Sequence, residues 1–171
     1  MSRILEVEDL VTRFYTLDGI VHAVNGVSFH LDQGETLAIV GESGSGKSVT
    51  MMSILGLIPR PPGKIESGTA RLVSSKGSRD LLQMSDEELR EVRGGNIGFV
   101  FQDPISTLNP ILTIGEQISE TVTRHLHLSR GQAQERAIQL LPSVGTPDPE
   151  LRYKDYPHQF SGGMRQRAMI A

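Results

Sequence analysis

The chemistry of this chain centres on Gly41-Glu42-Ser43-Gly44-Ser45-Gly46-Lys47-Ser48, a G-x-x-x-x-G-K-[ST] run. Glycines let the backbone take left-handed dihedrals and bring N–H groups close to phosphate oxygens. Those donors and the positive end of a following helix form an anion site. In such a loop Lys47 reaches the β- and γ-phosphates of a nucleoside triphosphate, while the Ser48 hydroxyl binds Mg²⁺. The setting is right for that chemistry: an apolar segment before the run and a helix-forming one after it. Two later segments add polar groups at element ends. Ile97-Gly98-Phe99-Val100-Phe101-Gln102-Asp103-Pro104 puts a glutamine at the exit of an apolar stretch, and Phe160-Ser161-Gly162-Gly163-Met164-Arg165-Gln166-Arg167 puts a serine and two glycines where a helix begins.

Positioning these groups requires a particular order of elements. Residues 4–8 partly alternate, and residues 27–31 alternate cleanly, with Val27, Phe29 and Leu31 on one face. Residues 32–35 make a turn. Leu37-Ala38-Ile39-Val40 is an unbroken apolar run, suited to a strand buried on both faces of a parallel sheet. Residues 47–57 favour a helix that stops before Pro59, and residues 59–63 form a rigid connector. Residues 69–73 and 80–83 can pair as strands. Ser85 with Glu88 is a capping box for a helix over 86–93, after which 97–101 returns to a strand. Ile114, Ile118, Val122 and Leu126 mark one helical face. Ser129 with Gln132 opens another helix, with Ala133, Ala137, Leu140 and Leu141 inward and Pro142 ending it. Pro147 and Pro149 suggest an extended loop, and a last helical stretch follows Gly162-Gly163.

Composition narrows the class. The 171 residues allow about one domain. Hydrophobic residues at 37% and charged ones at 22% are ordinary for a globular chain and exclude a disordered one. A formal charge of −3 gives no global basic footprint for duplex nucleic acid. The absence of cysteine excludes disulfides, Cys-zinc sites and iron–sulfur ligation within the chain. No apolar run approaches the roughly 18 residues that span a bilayer, and acidic Glu6, Glu8 and Asp9 are wrong for a secretory signal. The chain reads as soluble and cytosolic.

Taken in order, the three motifs resemble the nucleotide-binding domain of an ATP-binding cassette (ABC) transporter, and the resemblance covers essentially the whole chain. Residues 41–50, Gln102-Asp103-Pro104-Ile105-Ser106-Thr107-Leu108-Asn109-Pro110 and Tyr156-Pro157-His158-Gln159-Phe160-Ser161-Gly162-Gly163-Met164-Arg165-Gln166-Arg167 are similar to those of bacterial di- and oligopeptide importer ATPases. The fold this implies is α/β: a P-loop, RecA-like core with an N-terminal antiparallel β-subdomain and a helical subdomain, in truncated form. Approximate divisions are 1–100 for the β-subdomain and P-loop core, 101–160 for the Q-loop and helical subdomain, and 161–171 for the signature motif.

The resemblance also implies roles. Residues Gly41, Glu42, Ser43, Gly44, Ser45, Gly46, Lys47, Ser48 and Val49 would hold ATP. Lys47 and Gln102 would act in catalysis, with Ser48 and Gln102 at the Mg²⁺. Ser161, Gly162 and Gly163 would bind the γ-phosphate held by a second protomer, again at a helix N-terminus. Phe14 falls at the position that stacks on adenine, with Tyr15 as the neighbouring alternative. His158 beside the signature motif reads as structural or exposed. Arg165 and Arg167 fall on a solvated helix face or near an interface. Val49 stands where many relatives have Thr, and Met164 replaces a commoner glutamine.

The implied protein is the ATP-binding, energy-coupling subunit of a peptide importer, peripheral on the cytoplasmic face of the plasma membrane. Its partners would be a second ATPase subunit, identical or paralogous, transmembrane permease subunits, and indirectly an extracytoplasmic solute-binding protein. The expected strand of four apolar residues ending in Asp-Glu (Walker B and the catalytic glutamate) and a later switch histidine are not found in these residues. The expectation is therefore an N-terminal fragment. Two other functions remain open on sequence: a binding-only or vestigial chain without turnover, and a soluble non-transport ABC ATPase.

Overall fold

Alternation over the first thirty residues builds a long hairpin. Strands β1 (Arg3–Thr16) and β2 (Gly19–Asp32) pair antiparallel around a tight turn at Leu17 and Asp18. This is a computed structural model, and it describes residues 2–74, 77–103 and 107–171. Strand β3 (Gly63–Ser74) joins the other edge of β1, and β4 (Gly77–Asp80) joins β3, giving the order β2-β1-β3-β4, antiparallel throughout. The sheet bends where β1 bulges at Asp9, a non-glycine residue with φ 47°. Opposite it, Gly68 has φ 107°, and a Cβ there would sit 2.6 Å from the Leu10 Cα. Only glycine suits that crossing.

The sheet and the connector after it form one compact unit, Met1–Val92. Val7, Leu10 and Thr12 of β1, Val24 of β2 and Ala70 of β3 are buried. Helix α1 (Lys47–Ile54) is tied to β1 by a buried hydroxyl pair, Thr12 Oγ1 and Ser53 Oγ at 2.9 Å. Helix α2 (Asp86–Val92) opens on the expected box: the Ser85 N–H donates to Glu88 Oε2 at 2.8 Å, and the Glu88 N–H donates to Ser85 Oγ. Leu89 and Val92 of α2 are buried, as sequence periodicity requires.

The second unit, Arg93–Ala171, is helical. Helices α3 (Ile114–Leu126) and α4 (Arg130–Ser143) meet along Ile114, Ile118 and Val122 on one side and Ala133, Ala137 and Leu141 on the other. Phe160 and Ala168 complete this core. The small residues of α4 let the two helices approach closely. Helix α5 (Pro149–Arg152) leads into residues 153–155, whose carbonyls take up the donors at the start of α3: Ile114 N–H to Asp155 O at 2.8 Å and Gly115 N–H to Tyr153 O at 2.9 Å. The Tyr153 ring lies directly on Gly115, where any Cβ would overlap it. Helix α6 (Gly162–Ile170) ends the chain.

Several expectations are corrected. Residues 37–40 form no strand, and Leu37, Ile39 and Val40 are 41%, 42% and 88% exposed. A doubly buried strand needs neighbours on both edges and both faces. The sheet formed by the described residues is antiparallel and offers this run none. For the same reason residues 98–101 stay out of any sheet, and Ile97 makes a single bridge to Arg93. Residues 81–83 form a 3₁₀ turn rather than a strand, because Asp80 caps it by accepting the Leu82 N–H at 3.1 Å. Pro149 starts a helix instead of extending a loop, since a proline lacks only a donor that the first helical turn leaves unpaired anyway. Leu126 is exposed, and Pro142 lies inside the last turn of α4. The Thr113–Glu116 capping box of α3 went unread although T-x-x-E is a legible signal.

Three substitutions test this packing and capping. Gly115→Ala should cost about 1–3 kcal/mol in urea unfolding through overpacking against Tyr153. Gly131→Ala, with nothing near its added methyl, should raise stability by about 0.5 kcal/mol. The Thr113 N–H, and then its hydroxyl, hold the Glu116 carboxyl below its ordinary value of 4.5. A depressed carboxyl contributes above that value and loses its contribution as pH falls through the folded one. The melting advantage of wild type over Glu116→Gln should therefore be constant near neutrality and shrink below about pH 4.5.

Candidate functional site

The start of α1 is shaped by what it lacks. Its N-cap is Gly46, in the left-handed conformation at φ 88°, and no side chain caps the helix. The first N–H groups of a helix have no intrahelical acceptor, so these donors face outward for an external one. Gly46 is dictated twice over. Its φ suits glycine, and a Cβ there would collide with the Ala23 carbonyl oxygen of β2. Gly44 is also left-handed at φ 81°, with open space around it. The two glycines turn the chain so that residues 41–45 lie exposed in front of the helix end.

Lys47 folds back over this loop. Its Nζ donates to the Gly41 and Glu42 carbonyls, each at 2.8 Å, and to Ser45 Oγ at 3.2 Å. The ammonium is therefore held by the loop's own carbonyls and hydroxyl. Ser48 is exposed and Val49 half-buried. Thr50, the next hydroxyl, is turned inward and donates to the Gly46 carbonyl at 2.9 Å, so it cannot replace a hydroxyl at position 49. The donor set fits a triphosphate: an uncapped helix end, one cation and one exposed hydroxyl. Among the described residues, no group of three or more His, Asp or Glu could hold a metal ion. An ion at Ser48 would need phosphate oxygens to complete its shell.

Phe14 lies in the same unit, near the end of β1. It is half-buried against Gly63, whose missing Cβ would stand 3.0 Å from the Phe14 ring. Tyr15 is exposed, and its hydroxyl donates to Glu66 Oε1 at 2.8 Å. Sequence reading missed both Gly63 and Glu66, which lie across the sheet and have no local signature. It also missed the Thr12–Ser53 pair behind the loop.

The remaining candidates belong to the second unit. Gln102 is exposed just after Phe101. Phe99 and Phe101 stack edge to face at 4.7 Å and line a cavity of about 410 Å³ with Leu108, Gln117, Thr121 and Met169. Pro104, Ile105 and Ser106 of the quoted motif lie outside the described residues. Ser161 is the N-cap of α6, its Oγ accepting the Met164 N–H at 3.3 Å, with Gly162 and Gly163 exposed as the first helical residues. Arg165 is half-buried and Arg167 lies on the solvated face expected of it, and both reach backbone carbonyls. Arg165 Nε donates to Pro157 O and Arg167 to Gly145 O, both at 2.7 Å. His158 is exposed and stacks on Tyr156 at 5.7 Å between centroids.

Known proteins resemble this chain in sequence and in fold. The family model described as ABC transporter matches residues 24–171. The oligopeptide transport ATP-binding protein OppD of Bacillus subtilis is 52% identical over the full chain, and the dipeptide transport ATP-binding protein DppD of the same organism is 50% identical. The alignments cover 47% and 50% of those proteins, so the chain spans about half the length of the curated relatives it matches. Among solved structures, the dimeric bacterial ABC transporter cassette MJ0796 superposes with a TM-score of 0.82 at 26% identity, over 98% of this chain and 67% of that one.

Gly46→Ala and Gly44→Ala separate the two demands on the loop. The first should abolish nucleotide binding in a calorimetric titration, because the β2 carbonyl leaves no room. The second should carry only the left-handed cost, about 1–2 kcal/mol, and retain weakened binding.

Proposed function

Because the chain belongs to the ABC transporter family, we propose that it is the ATP-gripping portion of an energy-coupling subunit that serves an importer of short peptides. The observation that carries this is the uncapped start of α1 with Lys47 folded across the loop in front of it. The names and identity levels of the OppD and DppD relatives support the peptide class.

In this reading the α1 amides and Lys47 bind the triphosphate, and the ammonium exchanges its loop carbonyls for phosphate oxygens. Phe14 supports the adenine. The Ser48 hydroxyl would hold Mg²⁺, which when bound would neutralise charge on the phosphates and orient them. Ser161, Gly162 and Gly163 present a second helix start to the γ-phosphate of an opposing ATPase subunit. The Ser161 oxygen already accepts from Met164, so its proton is the part that donates outward. Closure of two subunits around ATP would then be driven by phosphate contacts from both sides. The groove between the Q-loop and the signature region, where Phe101, Leu108 and Met169 line a cavity, would take a short permease helix. No helix among the described residues is long and apolar enough to cross a membrane, which suits peripheral attachment to such a permease. Hydrolysis calls for a carboxylate that the sequence does not place after a four-residue apolar run.

Lys47→Ala tests the grip. Loss of a charge-assisted contact is worth roughly 1.5–3 kcal/mol, so Mg-ATP affinity should fall about tenfold or more in equilibrium titration. Unchanged affinity in a folded variant would contradict the proposed function.

A further inference from the structure

Strands β1 and β2 outrun β3. Gly63, the first residue of β3, pairs with Phe14, so Tyr15 and Thr16 continue in a ribbon of two strands. Such ribbons are marginal and twist freely unless something pins them. Phe14 sits at the point where support from β3 ends.

Three contacts pin this point. The Tyr15 N–H donates to the Pro62 carbonyl at 2.9 Å. The Tyr15 hydroxyl reaches back along the sheet to Glu66 Oε1 at 2.8 Å, and Lys64 Nζ lies 3.1 Å from the same oxygen. Glu66 owes its place to a bulge. Val11 pairs with Ser67 and Thr12 with Ile65, so Glu66 is the extra residue with no partner on β1. Bulges re-aim a side chain in this way.

Alternation along β1 divides the two aromatics. Thr12 and Phe14 share a face, and Arg13 and Tyr15 share the other. The Thr12 face is the α1 face, as its contact with Ser53 shows. On the opposite face the Arg13 guanidinium donates to the Val24 carbonyl at 2.7 Å, binding β1 to β2. The outer row therefore clamps β1 to both neighbours while the inner row carries Phe14.

Resting on the reading of Phe14 as a platform for adenine, we propose that Tyr15, Glu66 and Lys64 form a latch that fixes the end of β1, making Tyr15 and Glu66 positioning residues for the nucleotide base. The latch is set across the neutral range. The Tyr15 hydroxyl, and then Lys64, hold the Glu66 carboxyl below its ordinary value, and the bond to Glu66 holds the Tyr15 phenol above its own.

The test compares ATP, inorganic tripolyphosphate and 2-aminopurine riboside triphosphate, each with Mg²⁺, on the folded protein. Tyr15→Phe keeps the ring and removes the hydroxyl. It and Glu66→Ala should weaken ATP about two- to fivefold, leave tripolyphosphate unchanged, and reduce the fluorescence quench of the bound 2-aminopurine at saturation. Glu66→Gln keeps an acceptor for Tyr15 and should restore much of the quench. Unchanged quench in Tyr15→Phe and Glu66→Ala, or equal weakening of ATP and tripolyphosphate, overturns the latch. Phe14→Ala reports separately on the platform. If it alters neither ATP affinity nor quench, the adenine role of Phe14 fails; if it alters both while the latch variants do not, only the latch fails.

Discussion

Everything in the first unit turns on keeping the start of one short helix bare. Helix ends ordinarily recruit a serine, threonine or aspartate to cover their donors. At α1 the cap is Gly46, and the Ala23 carbonyl of β2 forbids anything larger. The hairpin is thus more than a scaffold. Its backbone enforces the glycine that leaves the amides bare, and its Thr12 holds α1 by a buried hydroxyl contact. Lys47 supplies charge to the same place and meanwhile satisfies itself on loop carbonyls.

The second helix start given an anion-binding role is built differently. At α6 the cap is Ser161, whose oxygen is already used by Met164, and the exposed groups are the hydroxyl proton and the amides of two glycines. Arg165 and Arg167 brace the turn through backbone carbonyls. One end is kept bare and the other is capped by a side chain and braced from behind, a difference that suits the proposed gripping role of the first and the proposed clamping role of the second.

Local chemistry was legible in the sequence, and long-range chemistry was not. The helix start after the G-x-x-x-x-G-K-[ST] run, the Ser85–Glu88 and Ser129–Gln132 boxes and the apolar face of α3 each depend on residues within a turn or two, and each forms as read except that Leu126 falls off the α3 face. Residues 37–40 read as a buried strand and 97–101 as a strand because their composition is strand-like, yet strand formation depends on neighbours that composition cannot supply. Gly63, Glu66 and the Ala23 carbonyl matter through register across the sheet, which one strand's pattern does not reveal. Pro149 misled because proline breaks a helix only from its interior.

The most direct measurement is backbone amide chemical shifts of the ¹⁵N-labelled protein during titration with Mg-ATP. Saturable displacement of the signals of Gly44, Ser45, Gly46, Lys47 and Ser48, larger than elsewhere in the first unit, is the predicted result. Saturable binding that leaves those five amides in place would contradict the account.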